Sequence, residues 1–306
     1  MPLTIPHLAE RTDDVRRLIG GGALAVACEV LRKVERQLKV LSDDSMESSV
    51  TSDDPVVYER LDDIARITLR HPPVNALSLE MIRAVVAAFR RAADDDGARV
   101  VVLASAIAKR FSAGLDLDIL LGRSGAEIRE FLQALYIDLY DAQYGLGKPS
   151  IAAVGGAARG GGMTMAVSCD VVLASESATF GYPEIDVGVI PAIHYAHLPR
   201  IVGRHRAFEL LFTGRVFSAM EARELGVVNR VIADAELEAE VAKLAAQFTG
   251  KSAAVLRMGR AAFMRQIDLD YRRSIASAVD DFCNVATSDE AQEGLRAFVE
   301  KRAPKW

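Results

Sequence analysis

The sequence predicts an α/β fold followed by a helical C-terminal region, on three observations. Short runs rich in Val, Ile and Leu at 99–104, 151–154 and 171–174 alternate with helical stripes. Glycine-bearing turns join one kind of segment to the other, and beyond Ile232 only helical periodicity remains. At 306 residues, half of them hydrophobic, the chain can bury one large core with or without an appendage.

Taken in order, residues 1–54 stand apart. Val26, Val30, Val34 and Leu38 recur at four-residue spacing and predict a helix over 15–41, while 42–55 is a polar, acidic, Ser-rich linker without periodicity. Two readings of this extension stay open: an accessory or docking helix, or a stretch preceding a translation start at Met46. Its most apolar part, 18–31, is broken by three glycines and Glu29 and follows Asp13 and Asp14, which suits neither a membrane span nor a secretory signal.

From 55 the pattern becomes strands and helices. Runs at 55–61 and 65–69 flank Asp62-Asp63 and read as a hairpin. Ser78 is the N-cap of a helix whose apolar stripe is Ile82, Val85, Val86 and Phe89. The runs 99–104 and 151–154 read as buried strands, 171–174 as a shorter one, and 228–232 as the last. Ser218 with Glu221 three residues on reads as a capping box. Helical periodicity over 235–248, 253–266 and 271–286 separates a C-terminal region, 233–306, from a core over 55–232, and a helical cluster of this kind caps an active site or makes subunit contacts.

Composition narrows the function. With 37 basic and 42 acidic residues, net charge −5 and no basic block, a partner bound by phosphate neutralisation is disfavoured and a small molecule fits better. Cys28, Cys169 and Cys283 are odd in number and widely spaced, which reads as reduced, buried, inert thiols of a cytoplasmic protein rather than disulfides or a zinc site.

The chemistry lies in two turns, 111–117 and 160–162, each placed between an apolar run and a potential helix. A helix start leaves backbone N–H groups without partners and carries the positive end of the helix dipole, so the two turns look like halves of an oxyanion hole. Glycine there lets backbone approach closely.

F-S-A-G-L-D-L at 111–117, K-P-S-I-A-A-V-G-G-A-A-R-G-G-G at 148–162 and C-D-V-V-L-A-S-E-S-A-T-F-G-Y-P-E at 169–184 occur in that order, followed by Phe212-Thr213-Gly214 and A-F-V-E-K-R at 297–302. From about Val56 to its end the chain resembles the crotonase (enoyl-CoA hydratase/isomerase) superfamily. The resemblance implies a spiral of repeated ββα units and homotrimers, or dimers of trimers. It further implies an acyl-CoA thioester substrate, no permanently bound cofactor, coenzyme A entering as part of the substrate, and no nucleic-acid or membrane partner.

By the same resemblance, the amides of Leu115 and Gly161 hold the thioester oxygen as an enolate forms, a contribution of about 3 to 4 kcal/mol per donor. Glu184, in F-G-x-P-E, moves the proton, helped by a carboxyl pKa raised in an apolar loop. Asn75, Ala76, Leu77 and Ser78 with Ser112 and Ala113 line the CoA path through backbone. Phe298 and Lys301 reach the adenine-phosphate end from a neighbouring subunit, and Arg302 reads as solvated.

The chain also departs from the family. Where hydratases carry a second glutamate, two residues past the triple glycine, it has Thr164; where dienoyl-type isomerases carry an acid, eight residues past Glu184, it has Ala192. A single-carboxylate site remains, as in 3-enoyl to 2-enoyl isomerases, and is similar also to hydroxycinnamoyl-CoA hydratase-lyases with their hydroxyl residue at the Thr164 position. Water addition stays open if Thr164 and the thioester hold a water. Residues 190–195 replace a glycine-rich segment, and His194 is a second acid or base or a helix cap. His194 and His197 lack the further ligands of a metal site, and none is expected.

Asp116 reads as a structural hydrogen-bonding residue, and Arg159 has no assigned role. Phe131, Leu132, Leu135, Tyr136 and Tyr140 form a stripe that is acyl-pocket wall or plain core. Two other functions stay open: a hydrolase or carbon–carbon lyase on an unusual acyl-CoA, and a subunit that binds acyl-CoA without turnover.

Overall fold

The computed structural model describes residues 54–269 and 271–306. The helix expected over 15–41, Cys28 and the start at Met46 lie outside the described residues.

β1 (Val56–Leu61) and β2 (Ile64–Leu69) form the expected hairpin, with Asp62 at φ 54° in its turn. β3 (Ala76–Leu77) leads into α1 (Leu79–Asp94), where the Ser78 hydroxyl accepts from the Met81 amide at 3.1 Å and the expected stripe is buried. Lys148 closes the other end of α1 by donating to the carbonyls of Ala92, Ala93 and Asp95. No local pattern shows that role.

β4 (Val100–Ser105) is followed by β5 (Arg110–Ser112), β6 (Gly114–Leu115), α2 (Gly125–Leu132), a π-helical segment (Gln133–Asp138) and α3 (Leu139–Tyr144). β7 (Ser150–Val154), β8 (Ala157–Arg159) and α4 (Gly161–Val167) repeat the order. β9 (Val171–Ser175), β10 (Thr179–Gly181), a 3₁₀ turn (Pro183–Val187), α5 (Ala192–Val202) and α6 (Arg204–Thr213) repeat it again. β11 (Phe217–Ser218), α7 (Ala219–Glu224) and β12 (Arg230–Ile232) complete the α/β part. α8 (Leu237–Thr249), α9 (Ala253–Ile267), α10 (Tyr271–Ala286) and α11 (Asp289–Val299) come last.

Each repeat therefore sends one strand to a large sheet, the next to a small sheet, and then a helix. The large sheet runs β1-β2-β4-β7-β9-β12 and is parallel from β2 onward; the small one runs β11-β10-β8-β5, and β3 pairs with β6. This is the ββα spiral. β4 and β7 are covered on both faces: Val101, Leu103, Ala152 and Val154 face the main core, and Val100, Val102, Ile151 and Ala153 face Leu237, Val241 and Leu244 of α8. Double coverage is why both strands are unbroken apolar runs.

Two expectations need correction. Ser218 accepts from the Glu221 amide at 3.2 Å, but the Glu221 carboxylate pairs with Arg215 at 2.6 Å instead of returning to the cap. The reciprocal capping box is at Ser124 and Glu127. Cys169 is buried, and burial, then the charge of Asp170, pushes its thiol up to about 12; Cys283, however, is exposed. Among the described residues no helix is long and apolar enough to cross a membrane.

Candidate active site

β5, β8 and β10 are neighbouring parallel strands, so their C-terminal ends lie along one edge, with about 4.8 Å between strands. The segments leaving those ends meet there: Gly114–Leu115 after β5, Gly160 to Gly162 after β8, and the turn bearing Glu184 after β10. Gly114 has φ 86°, and a Cβ on it would stand 2.8 Å from the Arg159 carbonyl oxygen and 3.3 Å from the Gly161 nitrogen. Gly160 has φ 44°, and a Cβ there would run into Oε1 of Glu184. Side chains of Leu77, Leu135 and Leu115 surround Gly161. The chain thus brings Leu115, Gly161 and Glu184 together, and the spacing leaves room for hydrogen only on the α-carbons of Gly114 and Gly160.

Glu184 is partly buried, and its Oε2 is closed off from solvent without a hydrogen-bond partner. Burial pushes the carboxyl pKa up, offset in part by a hydrogen bond from its own backbone. Tyr136, in the π-helical segment, has its phenol pushed up first by burial and then by the Glu184 charge, which places it in the field of that carboxylate. Tyr182 is fully buried, its ring centroid 4.4 Å from that of His194, and its hydroxyl has no partner.

Behind the glycines lies a second buried group. His194 Nε2 is 3.2 Å from the Gly160 carbonyl oxygen and 3.4 Å from Thr164 Oγ1, and His194 Nδ1 is 2.9 Å from His197 Nε2. A carbonyl only accepts, so Nε2 of His194 carries the hydrogen and its Nδ1 accepts from Nε2–H of His197. His197 Nδ1 is left buried without a partner. Burial, then repulsion from a neighbouring cation or imidazole, holds both rings neutral, with His197 lowered to about 4. His194 is not a helix cap, because that place is taken by Pro191. Thr164 is buried against the imidazole.

The residues expected along the CoA path divide. Asn75 is fully buried at φ 52°, donating to Ser105 Oγ at 2.8 Å and to the Phe111 carbonyl at 2.9 Å while accepting from the His71 amide at 2.7 Å. Ser112 donates to the Asn75 carbonyl at 2.8 Å and accepts from the Gly114 amide at 3.2 Å. These side chains tie the loop before β3 to the loop after β5 and so hold Gly114. Ala76 is half-buried, Ala113 exposed, and Leu77 is core.

Phe298 and Lys301 are exposed at the end of α11, which packs on α9 and α10. Asp116 accepts from the Asp118 amide at 3.2 Å and caps a 3₁₀ turn. Arg159 gains a role: it donates to the Thr179 carbonyl at 2.7 Å and Thr179 Oγ1 at 2.9 Å, fastening β8 to β10. Of the stripe, Phe131 and Leu135 are core, Leu132 and Tyr136 are half-buried and Tyr140 is exposed. Sequence patterning gives no working role to His197 or Tyr182; the three-residue spacing of the histidines is the one signal available for the first of them.

A family model described as enoyl-CoA hydratase/isomerase matches residues 59–306. Crotonyl-CoA hydratase of Syntrophomonas wolfei is 32% identical over 249 residues, covering 81% of this chain and 95% of that protein. The crystal structure of an enoyl-CoA hydratase from Mycobacterium smegmatis superposes with a TM-score of 0.79 at 34% identity, over 83% of this chain and 99% of the other. Human enoyl-CoA hydratase domain-containing protein 3 gives 0.79 at 30% identity, over 83% and 100%. Matched over residues 59–306 by the family model and over four fifths of its length by relatives and solved structures, this chain belongs to the enoyl-CoA hydratase/isomerase family.

Proposed function

We propose that the protein holds the carbonyl of an enoyl-CoA thioester on the amides of Leu115 and Gly161 and moves a proton at the adjacent carbon with Glu184. The observation that carries this reading is the partly buried Glu184 carboxylate set against Gly160, one residue from Gly161, with one oxygen closed off from solvent and unpartnered. Two further points support it. The Asp116 amide donates to the Leu77 carbonyl, and successive amides of an extended strand alternate in direction, which turns the Leu115 amide away from β3. Gly161 opens α4, where amides have no intrahelical acceptor.

The reaction balances with one carboxylate. Ionised Glu184 removes a proton from C2 of a 3-enoyl thioester, the electron pair moves into the carbonyl, and the oxyanion is held by the two amides. The protonated carboxyl then returns the proton to C4 as the pair moves back, giving the 2-enoyl thioester. A carboxyl pKa raised by burial suits both halves of this exchange. Hydration, which the names of the relatives favour, uses the same oxyanion site with a water held by Glu184, since Thr164 is buried against His194.

The CoA chain runs past the backbone of Ala76 and Ala113. Phe298 and Lys301, both exposed, serve the CoA end of a neighbouring copy's site in a homotrimer, and the protein works in the cytoplasm.

In heavy water the wild type takes up deuterium at C2 of a bound acyl-CoA, and Glu184→Gln slows exchange and turnover by at least about a hundredfold. A variant that keeps full exchange refutes the assignment of Glu184. Supplying 2-enoyl-CoA and 3-enoyl-CoA separately divides the two reactions, because only hydration forms 3-hydroxyacyl-CoA.

A further inference from the structure

We propose that His194 is a positioning residue that locks and polarises the Gly160–Gly161 peptide group, setting the strength of the Gly161 amide as a hydrogen-bond donor. The proposal rests on the reading of Gly161 as an oxyanion donor. Its own ground is the buried chain Gly160 C=O···H–Nε2 His194 Nδ1···H–Nε2 His197.

Gly160 has φ 44° and ψ −112°, outside the helical range, and as the N-cap of α4 it is tied to the helix through its carbonyl, so the plane of the peptide that links it to Gly161 depends on what that oxygen accepts. That plane is held through its carbonyl oxygen, which accepts from the Thr164 amide at 3.1 Å and from His194 Nε2–H at 3.2 Å. In a trans peptide the carbonyl and the following N–H point in opposite directions along one plane, so whatever fixes the oxygen also aims the Gly161 hydrogen. A donor on the oxygen also polarises the group and makes its N–H a stronger donor, by about 10 to 30% per bond.

His197 completes the device. It lies three residues on, on the same face of α5, and its Nε2–H fixes His194 as the Nε2–H tautomer. The Tyr182 ring packs on the imidazole and fixes its tilt. The same tautomer keeps His194 from acting as a base on Thr164, since the nitrogen nearest the hydroxyl carries the hydrogen. His194 therefore acts through the peptide and not on the substrate.

The test reads the thioester carbonyl directly. Crotonyl-CoA carrying ¹³C at its carbonyl is bound to Glu184→Gln protein, and the infrared band is compared with that of free ligand. A shift to lower frequency is expected, and adding His194→Phe, which keeps a ring but not the donor, reduces it by about 10 to 30%. With Glu184 intact, His194→Phe lowers kcat about tenfold while KM changes by less than about threefold, a smaller loss than removal of an oxyanion donor. His194→Gln, which offers an amide hydrogen near the place of Nε2–H, restores both readings.

A band and a kcat that do not change in His194→Phe overturn the proposal while the oxyanion reading stands. Absence of any shift in Glu184→Gln itself removes that reading and the proposal with it. Should His194→Phe fail to fold, His194→Leu is read in its place: loss of the Nε2–H donor reduces the band shift, and an unchanged shift overturns the proposal.

Discussion

Gly160 shows how much a single residue carries here: its α-carbon touches the Glu184 carboxylate, its amide donates to Gly181 at 3.1 Å, and its carbonyl faces His194. Gly160→Ala forces a side chain into φ 44° and into the carboxylate, a backbone cost of roughly 1 to 3 kcal/mol before the clash. Melting by circular dichroism should show that loss, and kcat should fall at least about a hundredfold as the acid is displaced. Gly125→Ala, at a position with open space around it, should alter neither. That Leu115, Gly161 and Glu184 come together is legible in the sequence because each sits in a recognisable run of text. The function of Arg159 is not, since its acceptors lie on Thr179, twenty residues away. Thr164 and His194 stand out in the sequence without the carbonyl that joins them, because only the fold brings α5 behind the glycine turn.

At the scale of elements, α5 carries one buried and one half-buried neutral imidazole, and this makes it acid-sensitive. Free histidine titrates near 6.5, whereas burial lowers His197 to about 4 and His194 well below its ordinary value. The unfolded chain therefore binds more protons across that interval, so the stabilising contribution is complete above pH 6.5 and is lost as pH falls toward 4. Denaturant unfolding followed from pH 7 to 4 should show this slope, and His197→Gln should flatten it. Long elements were readable: the stripe of α1, the hairpin of β1 and β2, and the doubly covered β4 and β7 each show one unambiguous period. The strands that deliver the site were not. β5, β8 and β10 have three residues each, too few for any alternation to register, and they exist because the large sheet and its helices hold them in line.

At the scale of the whole molecule, α5 and α6 present an aromatic ladder to solvent. Tyr195 stacks on Phe212 and Phe212 on Phe208, with centroids 5.7 and 4.2 Å apart, while Phe208 is 59% and Phe212 47% exposed. Such a face is costly to leave in water and suits contact with a second copy. Sedimentation velocity should find the wild type as a trimer or a multiple of it, and Phe208→Glu with Phe212→Glu should release monomers; an unchanged distribution rejects this face as the contact. The three parallel strands of the small sheet have one more consequence. Because the segments bearing Leu115 and Gly161 follow β5 and β8 and the turn bearing Glu184 follows β10, the carboxylate hangs on a separate strand end from the two amides. Laboratory evolution confined to Pro183–Val187 can therefore exchange or delete the carboxylate while the turns at 114–115 and 160–162 keep their sequence, so that on the proposed function the acid is a replaceable part of the scaffold.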